Sequence, residues 1–428
     1  MTTTTATTTA IIHKTITETS PVKRIIYGII ELVLAAVILF VFALTVPAEN
    51  VTRFVMTPGG ITVGVASDWI LPTQLTLYVL VAICIVLAAF QIIKGFGKAT
   101  NLILGLIAVF LIFSFLTWQA SGKSLNLAGM LSSAVLLSVP ITLGAYSGVL
   151  CERSGVINIA IEGMMLMGSM VGALVGSVTH SALIGLLAAV LSAVLLAAVH
   201  AILSIKYKIN QVISGTVINI FSTGMTSFIS QKFLQTHQAL NSPPIFPRIP
   251  IPGLSEIPVL GPIFFNTNLF VYLMFIILII LQIALFSTRW GLRVRSVGEH
   301  PKAADTLGIN VIKTRYMSVL LGGVVAGIGG AFFTLGNVGR FDEEMTAGKG
   351  FIGLAAMLFG NYSPLGSTAA GLLFGFADSL GSKLSLLGSA IPPQFMAMAP
   401  YLLTMIVLAG FIGRGHVPAA DGEPYEKE

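Results

Sequence analysis

Ten stretches of 17 to 24 residues run through this chain without a single Lys or Arg. Between them they carry two carboxylates, Glu31 and Glu162. A helix rises about 1.5 Å per residue, so about 20 apolar residues cross the hydrocarbon layer of a bilayer. The stretches are 25–46, 75–93, 102–118, 128–150, 156–178, 182–205, 211–230, 269–286, 317–335 and 396–412. The chain as a whole is 55 % hydrophobic and 9 % charged, against about 25 % charged in a soluble domain. It lacks the polar surface to stay in water. The expected fold is an all-α integral membrane protein with about ten full transmembrane helices.

Basic residues mark one side of the membrane. Lys14, Lys23 and Arg24 precede the first run. Lys94, Lys98, Arg153, Lys206, Lys208 and a group between Arg289 and Arg315 fall in alternate joints, and Arg414 follows the last run. The other joints are leaner, with Arg53 alone in 47–74 and Lys123 alone in 119–127. Both termini are therefore expected to be cytoplasmic, in a multi-pass protein of the cell (plasma or inner) membrane in contact with lipid. The net charge of +6 serves orientation. No basic run is interleaved with stacking aromatics, so nucleic acid is not an expected partner. Residues 1–20 are Thr-rich and read as a disordered cytoplasmic tail, and 415–428 as a second cytoplasmic tail. The run after Arg24 is too long for a signal-peptide core and lacks a cleavage site, so it reads as a retained span. Cys84 and Cys151 read as free thiols, and six scattered His form no metal-ligand cluster. No metal, cofactor or catalytic set is expected.

Two regions are interrupted. The piece 351–360 is too short to cross alone and is followed by Asn361-Tyr362-Ser363-Pro364-Leu365-Gly366, a strong breaker, and then a second short piece, 366–380. The stretch from Ser154 to Gly176 follows Cys151-Glu152-Arg153-Ser154-Gly155, and the run before it contains Pro140. Broken backbone at membrane depth survives only inside protein or beside a wet cavity, and such breaks point to transport sites. The two regions suggest short re-entrant helices and a pseudo-repeat. Asn158 and Glu162 are spaced i, i+4, which places them on one helical face. With Asn219, Asn361, Phe221 and Phe351 they are candidates to line a path for a neutral polar solute. The competing reading is that Asn158 and Glu162 tie a broken helix to its neighbour. The seven prolines between Gln231 and Thr267 read as a stiff, extended cover. Gly323 and Gly327, at small-xxx-small spacing, suit close helix packing, within the chain or between subunits.

The joint STRWGLRVRSVGEHPKAADTLGINVIKTRY holds a small punctuated helix: Glu299 or His300 at its start, Pro301 in the first turn, Gly308 past its end. Two stretches, ERSGVINIAIEGMMLMG (152–168) and GLRVRSVGEHPKAADTLGIN (291–310), resemble the permeases of ATP-binding-cassette importers. The similarity is to the ribose, branched-chain amino acid and nucleoside branch, and most of all to its nucleoside subgroup associated with a basic membrane lipoprotein. It covers roughly 128–414. The division expected is a permease core at 121–414 and, at 21–120, extra spans outside the family pattern.

The resemblance implies that Glu299, His300, Pro301, Lys302, Ala303, Ala304, Asp305, Thr306 and Leu307 form a cytoplasmic coupling helix that docks on an ABC ATPase. It also implies a second related permease in a heterodimer and an extracellular solute-binding lipoprotein. The chain has no phosphate loop of its own: Gly122-Lys123-Ser124 lacks the earlier glycine that GxxxxGK[ST] requires. Hydrolysis then falls to partner subunits, and the chain is not an enzyme. The expected function is uptake of a small solute, a nucleoside by resemblance. Alternatives are a sugar or branched-chain amino acid permease of the same class, or an ion-coupled secondary transporter using Glu162.

Overall fold

A computed structural model describes residues 21–386, 395, 398 and 417–427. The expected tail at 1–20 and, except for residue 398, the tenth run, 396–412, lie outside the described residues. Among those residues nine helices are long and apolar enough to cross a membrane. They correspond one to one with the other nine runs. The chain divides into two compact units, one of residues 1–54 and 68–125, the other of 55–67 and 126–428.

The first unit holds α1 (Pro21–Val37), α2 (Thr73–Ile93) and α3 (Thr100–Gln119). They enclose a small apolar core around Ile38, Leu77, Cys84 and Ile107. Glu31, the carboxylate of the first run, is fully buried. Residues 51–54 pair antiparallel with 69–72, Val51 opposite Pro72 and Phe54 opposite Trp69. Buried Thr52 fixes this ribbon to α2 and α3, with Thr73 Oγ1 2.8 Å and the Thr117 carbonyl 3.0 Å from its hydroxyl.

In the second unit the helices are α4 (Leu127–Glu152), α5 (Ile161–Thr179), α6 (Ala182–Ala201), α7 (Gln211–Ile229), α8 (Leu269–Ser287), α9 (Arg289–Glu299), α10 (Pro301–Thr306), α11 (Val311–Ala331), α12 (Lys349–Phe359) and α13 (Pro364–Leu386). The most apolar window of α4 is 89 % buried, which makes α4 the central post. Small residues let its neighbours approach closely. Gly353 of α12 lies against the α4 backbone at Ile141 and Ala145, and Gly375 of α13 against Ala134 and Ser138. In α11, Gly323 and Gly327 face Ala193, Ala197 and Val190 of α6, and Gly330 faces the Met165 carbonyl of α5. The Gly face of α11 is thus spent on packing inside the unit.

A methyl group on Gly330 would sit 2.2 Å from the Met165 carbonyl oxygen, whereas one on Gly224 would meet nothing within 4 Å. Overpacking of this kind costs about 1–3 kcal/mol. Gly330→Ala is therefore expected to lower the melting temperature of the detergent-solubilised protein by several degrees, and Gly224→Ala to leave it unchanged.

Three expectations need correction. Residues 366–380 are not a short piece but part of α13, a 23-residue helix. Its glycines, which resemble breakers in sequence, form the face that packs on α4. The joint after α8 is not a loop around one small helix: amphipathic α9 precedes α10, and Glu299 belongs to α9. The Pro-rich segment is folded rather than simply extended. Arg248–Pro250 pairs antiparallel with Asn266–Asn268, the Phe246 N–H donates to the Leu335 carbonyl at 2.8 Å, and Asn241 brackets Phe341 through two bonds of 2.7 and 2.9 Å.

Candidate functional site

Helix α5 does not begin where its apolar run begins. Gly155 turns the chain at φ +82°, and residues 154–160 are non-helical. Their backbone groups lose their helical partners and must be satisfied otherwise. Side chains distant in sequence do this. The Ile157 N–H donates to Gln211 Oε1 at 2.6 Å. The Ile157 carbonyl lies 2.9 Å from His200 Nε2, and His200 Nδ1 lies 3.0 Å from Ser214 Oγ. A carbonyl only accepts, so Nε2 carries the imidazole proton and Nδ1 accepts from the serine. Asn219 Nδ2 donates to the Ile159 carbonyl at 2.9 Å, and its Oδ1 accepts from the Gly163 N–H at 2.8 Å.

Asn158 is in this break and not on α5, which starts at Ile161. The expected i, i+4 helical face shared with Glu162 is therefore absent. Asn158 is fully buried. Its Oδ1 accepts from the Ala160 N–H at 3.1 Å, and its Nδ2 points at Cys151 Sγ at 3.4 Å. Glu162 is in the first turn of α5 and reaches across to α12. Oε1 accepts from Thr346 Oγ1 at 2.6 Å and from the Gly348 N–H at 2.9 Å, and Oε2 from the Gly350 N–H at 2.6 Å. A carboxylate on the free N–H groups of a helix start satisfies donors that the helix cannot, and it sits at the positive end of the dipole.

The second break lies at the other end of α12, which has 11 residues and spans about 16 Å. Asn361 and Tyr362 both adopt φ +53°, a left-handed conformation costly for residues with a Cβ. Arg153, from the first break, holds this turn. Its Nε donates to the Tyr362 carbonyl at 2.8 Å and its Nη2 to the Asn361 carbonyl at 3.2 Å. Its guanidinium also lies within 6 Å of the Phe286 and Tyr362 ring centroids.

The two interrupted regions are thus joined twice, at opposite ends of α12. Of the residues singled out in sequence, Asn158, Glu162 and Asn219 meet at the first break, and Asn361 meets it through Arg153. Phe221 and Phe351 stand apart, 49 % and 46 % exposed. Sequence reasoning missed Arg153, His200 and Gln211. A signal existed for His200: an imidazole inside an apolar run needs a partner.

At the α9–α10 end of this unit, His300 Nδ1 accepts from the Ala303 N–H at 3.2 Å, with Pro301 in the first turn and Gly308 at φ +80° beyond the end. This is the punctuation read from the sequence. Leu307 is 81 % exposed, an apolar side chain held out at the tip. At the opposite end of α8, Phe246, Asn266, Thr267 and Asn337 line an open pocket of about 260 Å³. The Thr267 hydroxyl is buried there without a hydrogen-bond partner.

The sequence profile of a family described as the permease component of branched-chain amino acid transport systems matches residues 130–409. The chain belongs to this family. It is a multi-pass membrane protein of the permease type. It is 41 % identical to the guanosine ABC transporter permease protein NupQ of Bacillus subtilis, over 69 % of this chain and 95 % of that one. It is 38 % identical to the nucleoside ABC transporter permease protein NupC of Lactococcus lactis, over 70 % and 96 %. A putative glucose ABC transporter permease protein of Haloferax volcanii, TsgC13, is 33 % identical over 70 % and 98 %. No solved structure matches the chain.

Proposed function

We propose that this permease is the membrane-spanning subunit of an ABC importer for nucleosides. The observation that carries the reading is the 41 % identity to a guanosine permease along 95 % of that protein. The α9–α10 end faces the cytoplasm, where α10 and its exposed Leu307 dock on an ATPase subunit that hydrolyses ATP for the cycle. A second, related permease completes the membrane part, and a solute-binding lipoprotein delivers the nucleoside to the other side. The pocket beside Phe246 lies at that mouth, with an aromatic ring and amides suited to a base and a ribose. The paired breaks are the part of the fold that transmits motion, since Glu162 and Arg153 tie the two ends of α12 to the first break.

The ion-coupled alternative fits poorly, because the Glu162 oxygens already accept three hydrogen bonds. Uptake of labelled guanosine in cells carrying the whole transporter tests the substrate. Unlabelled adenosine and inosine in excess are expected to reduce uptake at least ten-fold, and glucose and leucine not at all. Competition by glucose or leucine alone would overturn the nucleoside reading.

A further inference from the structure

Residues 417–427 form a strap across the α9–α10 end of the second unit. The Ala420 N–H donates to the Gly298 carbonyl at 2.9 Å, the last turn of α9. Gly155, the left-handed residue that opens the first break, leaves room for the Ala420 carbonyl, which a Cβ there would approach to 2.9 Å. Gly422 packs likewise on Ile157, where a Cβ would come within 2.8 Å of its side chain. Arg315, 2 % exposed at the start of α11, donates from Nη1 to the Glu423 carbonyl at 2.7 Å. The Asp421 carboxyl lies beside that of Glu152 at the end of α4. Burial pushes the Asp421 carboxyl up to about 6, as expected for a group seated in the protein.

Beyond Glu423 the strap turns onto the docking layer. Tyr425 packs on the small core of Val297, Ala304 and Val311, which links α9, α10 and α11. Lys427 lies 3.8 Å from Asp305 of α10, and Glu426 pairs with Lys208 in the joint between α6 and α7. Two open depressions of about 320 and 480 Å³ flank this segment, both edged by Tyr425 and Lys427. The outer surface beside α10 is therefore built partly from the strap.

We infer that segment 417–427 is a second coupling element: it completes the surface on which the ATPase subunit seats and carries displacement of α10 to the break that opens α5. This rests on the reading of α10 as the ATPase dock. One element touches α9, α10, α11, the end of α4 and the Gly155 turn. Without it, α10 reaches the break only through α9 and α11. The strap adds a second route beside the one through α9, whose Gly298 packs on the Arg153 carbonyl.

The test uses the whole transporter, purified and reconstituted, with three permease variants. One ends at His416, just before the strap. The second, informative should the truncated chain fail to accumulate, is full-length Asp421→Arg, whose longer side chain overfills the buried seat between Glu152 and Arg315 and displaces the strap. The third, Leu307→Asp, probes α10 alone. Truncation and Asp421→Arg are each expected either to release the ATPase subunit from the complex or to cut guanosine uptake per ATP hydrolysed at least five-fold. Retained ATPase with unchanged uptake per ATP in both variants would overturn the strap as a coupling element. Leu307→Asp reports separately: release of the ATPase supports the dock, and full retention with normal uptake removes it. A complex sensitive to Leu307→Asp but indifferent to loss of the strap would sink only the present inference.

Discussion

Replacing Glu162 with alanine is expected to lower guanosine uptake at least ten-fold and to destabilise the protein by about 4–5 kcal/mol, since three hydrogen bonds to a charged group contribute about 1.5–3 kcal/mol each and water replaces only part of them at this half-buried position. The change removes the acceptor for Thr346, Gly348 and Gly350 together. Two of these donors are backbone N–H groups around the start of α12, where no neighbouring turn supplies a replacement. Glu162→Gln is expected to fall between. Its carbonyl can still serve Thr346 and Gly348, but its NH₂ group then faces the Gly350 N–H, donor against donor. Thermal unfolding in detergent gives the stability change, and uptake across pH separates the two roles of the carboxylate. A brace leaves the pH profile and the ATP dependence of the residual uptake unchanged. A proton-carrying carboxylate would give a stable Gln variant whose uptake no longer responds to pH.

The second large effect is expected at Arg153. Arg153→Ala removes both donors from the carbonyls of Asn361 and Tyr362, and Arg153→Lys restores only one, because an ammonium cannot reproduce the planar fork. The turn they hold is strained, with two non-glycine residues at φ +53°, at a cost of about 1–2 kcal/mol for Tyr362 and less for Asn361, since asparagine tolerates this region. Uptake by Arg153→Ala is expected to fall about ten-fold and by Arg153→Lys about five-fold. Asn361→Gly removes one Cβ from the left-handed region and is expected to recover part of the loss in the Arg153→Ala background. Equal uptake with and without the glycine would mean that Arg153 acts other than by holding this turn.

Local features of the fold were readable and distant ones were not. Nine spans could be placed because an uncharged run of about 20 residues has few other stable uses. Helix α10 could be placed from His300, Pro301 and Gly308, since capping is a matter of adjacent residues. Helix α9 carries no such signal, because its Arg-rich sequence reads as a loop until it has a surface to lie on. The first break is legible in Ser154-Gly155, but its length is not. Val156, Ile157 and Ile159 look helical, and what holds them out of a helix is Gln211, His200 and Asn219, between 43 and 60 residues away. No periodicity carries such a signal. The same holds for the Arg153 clamp, which closes a separation of 209 residues. Asn158 and Glu162 are unusual in an apolar run, and each is engaged by backbone groups at the breaks.

The most direct measurement is guanosine accumulation in proteoliposomes holding the complete complex, with ATP supplied only on the face bearing α10. ATP is expected to drive accumulation, a protonophore to leave it intact, and a non-hydrolysable ATP analogue to abolish it. Accumulation that proceeds without ATP under a proton gradient, and collapses with the protonophore, would contradict the account.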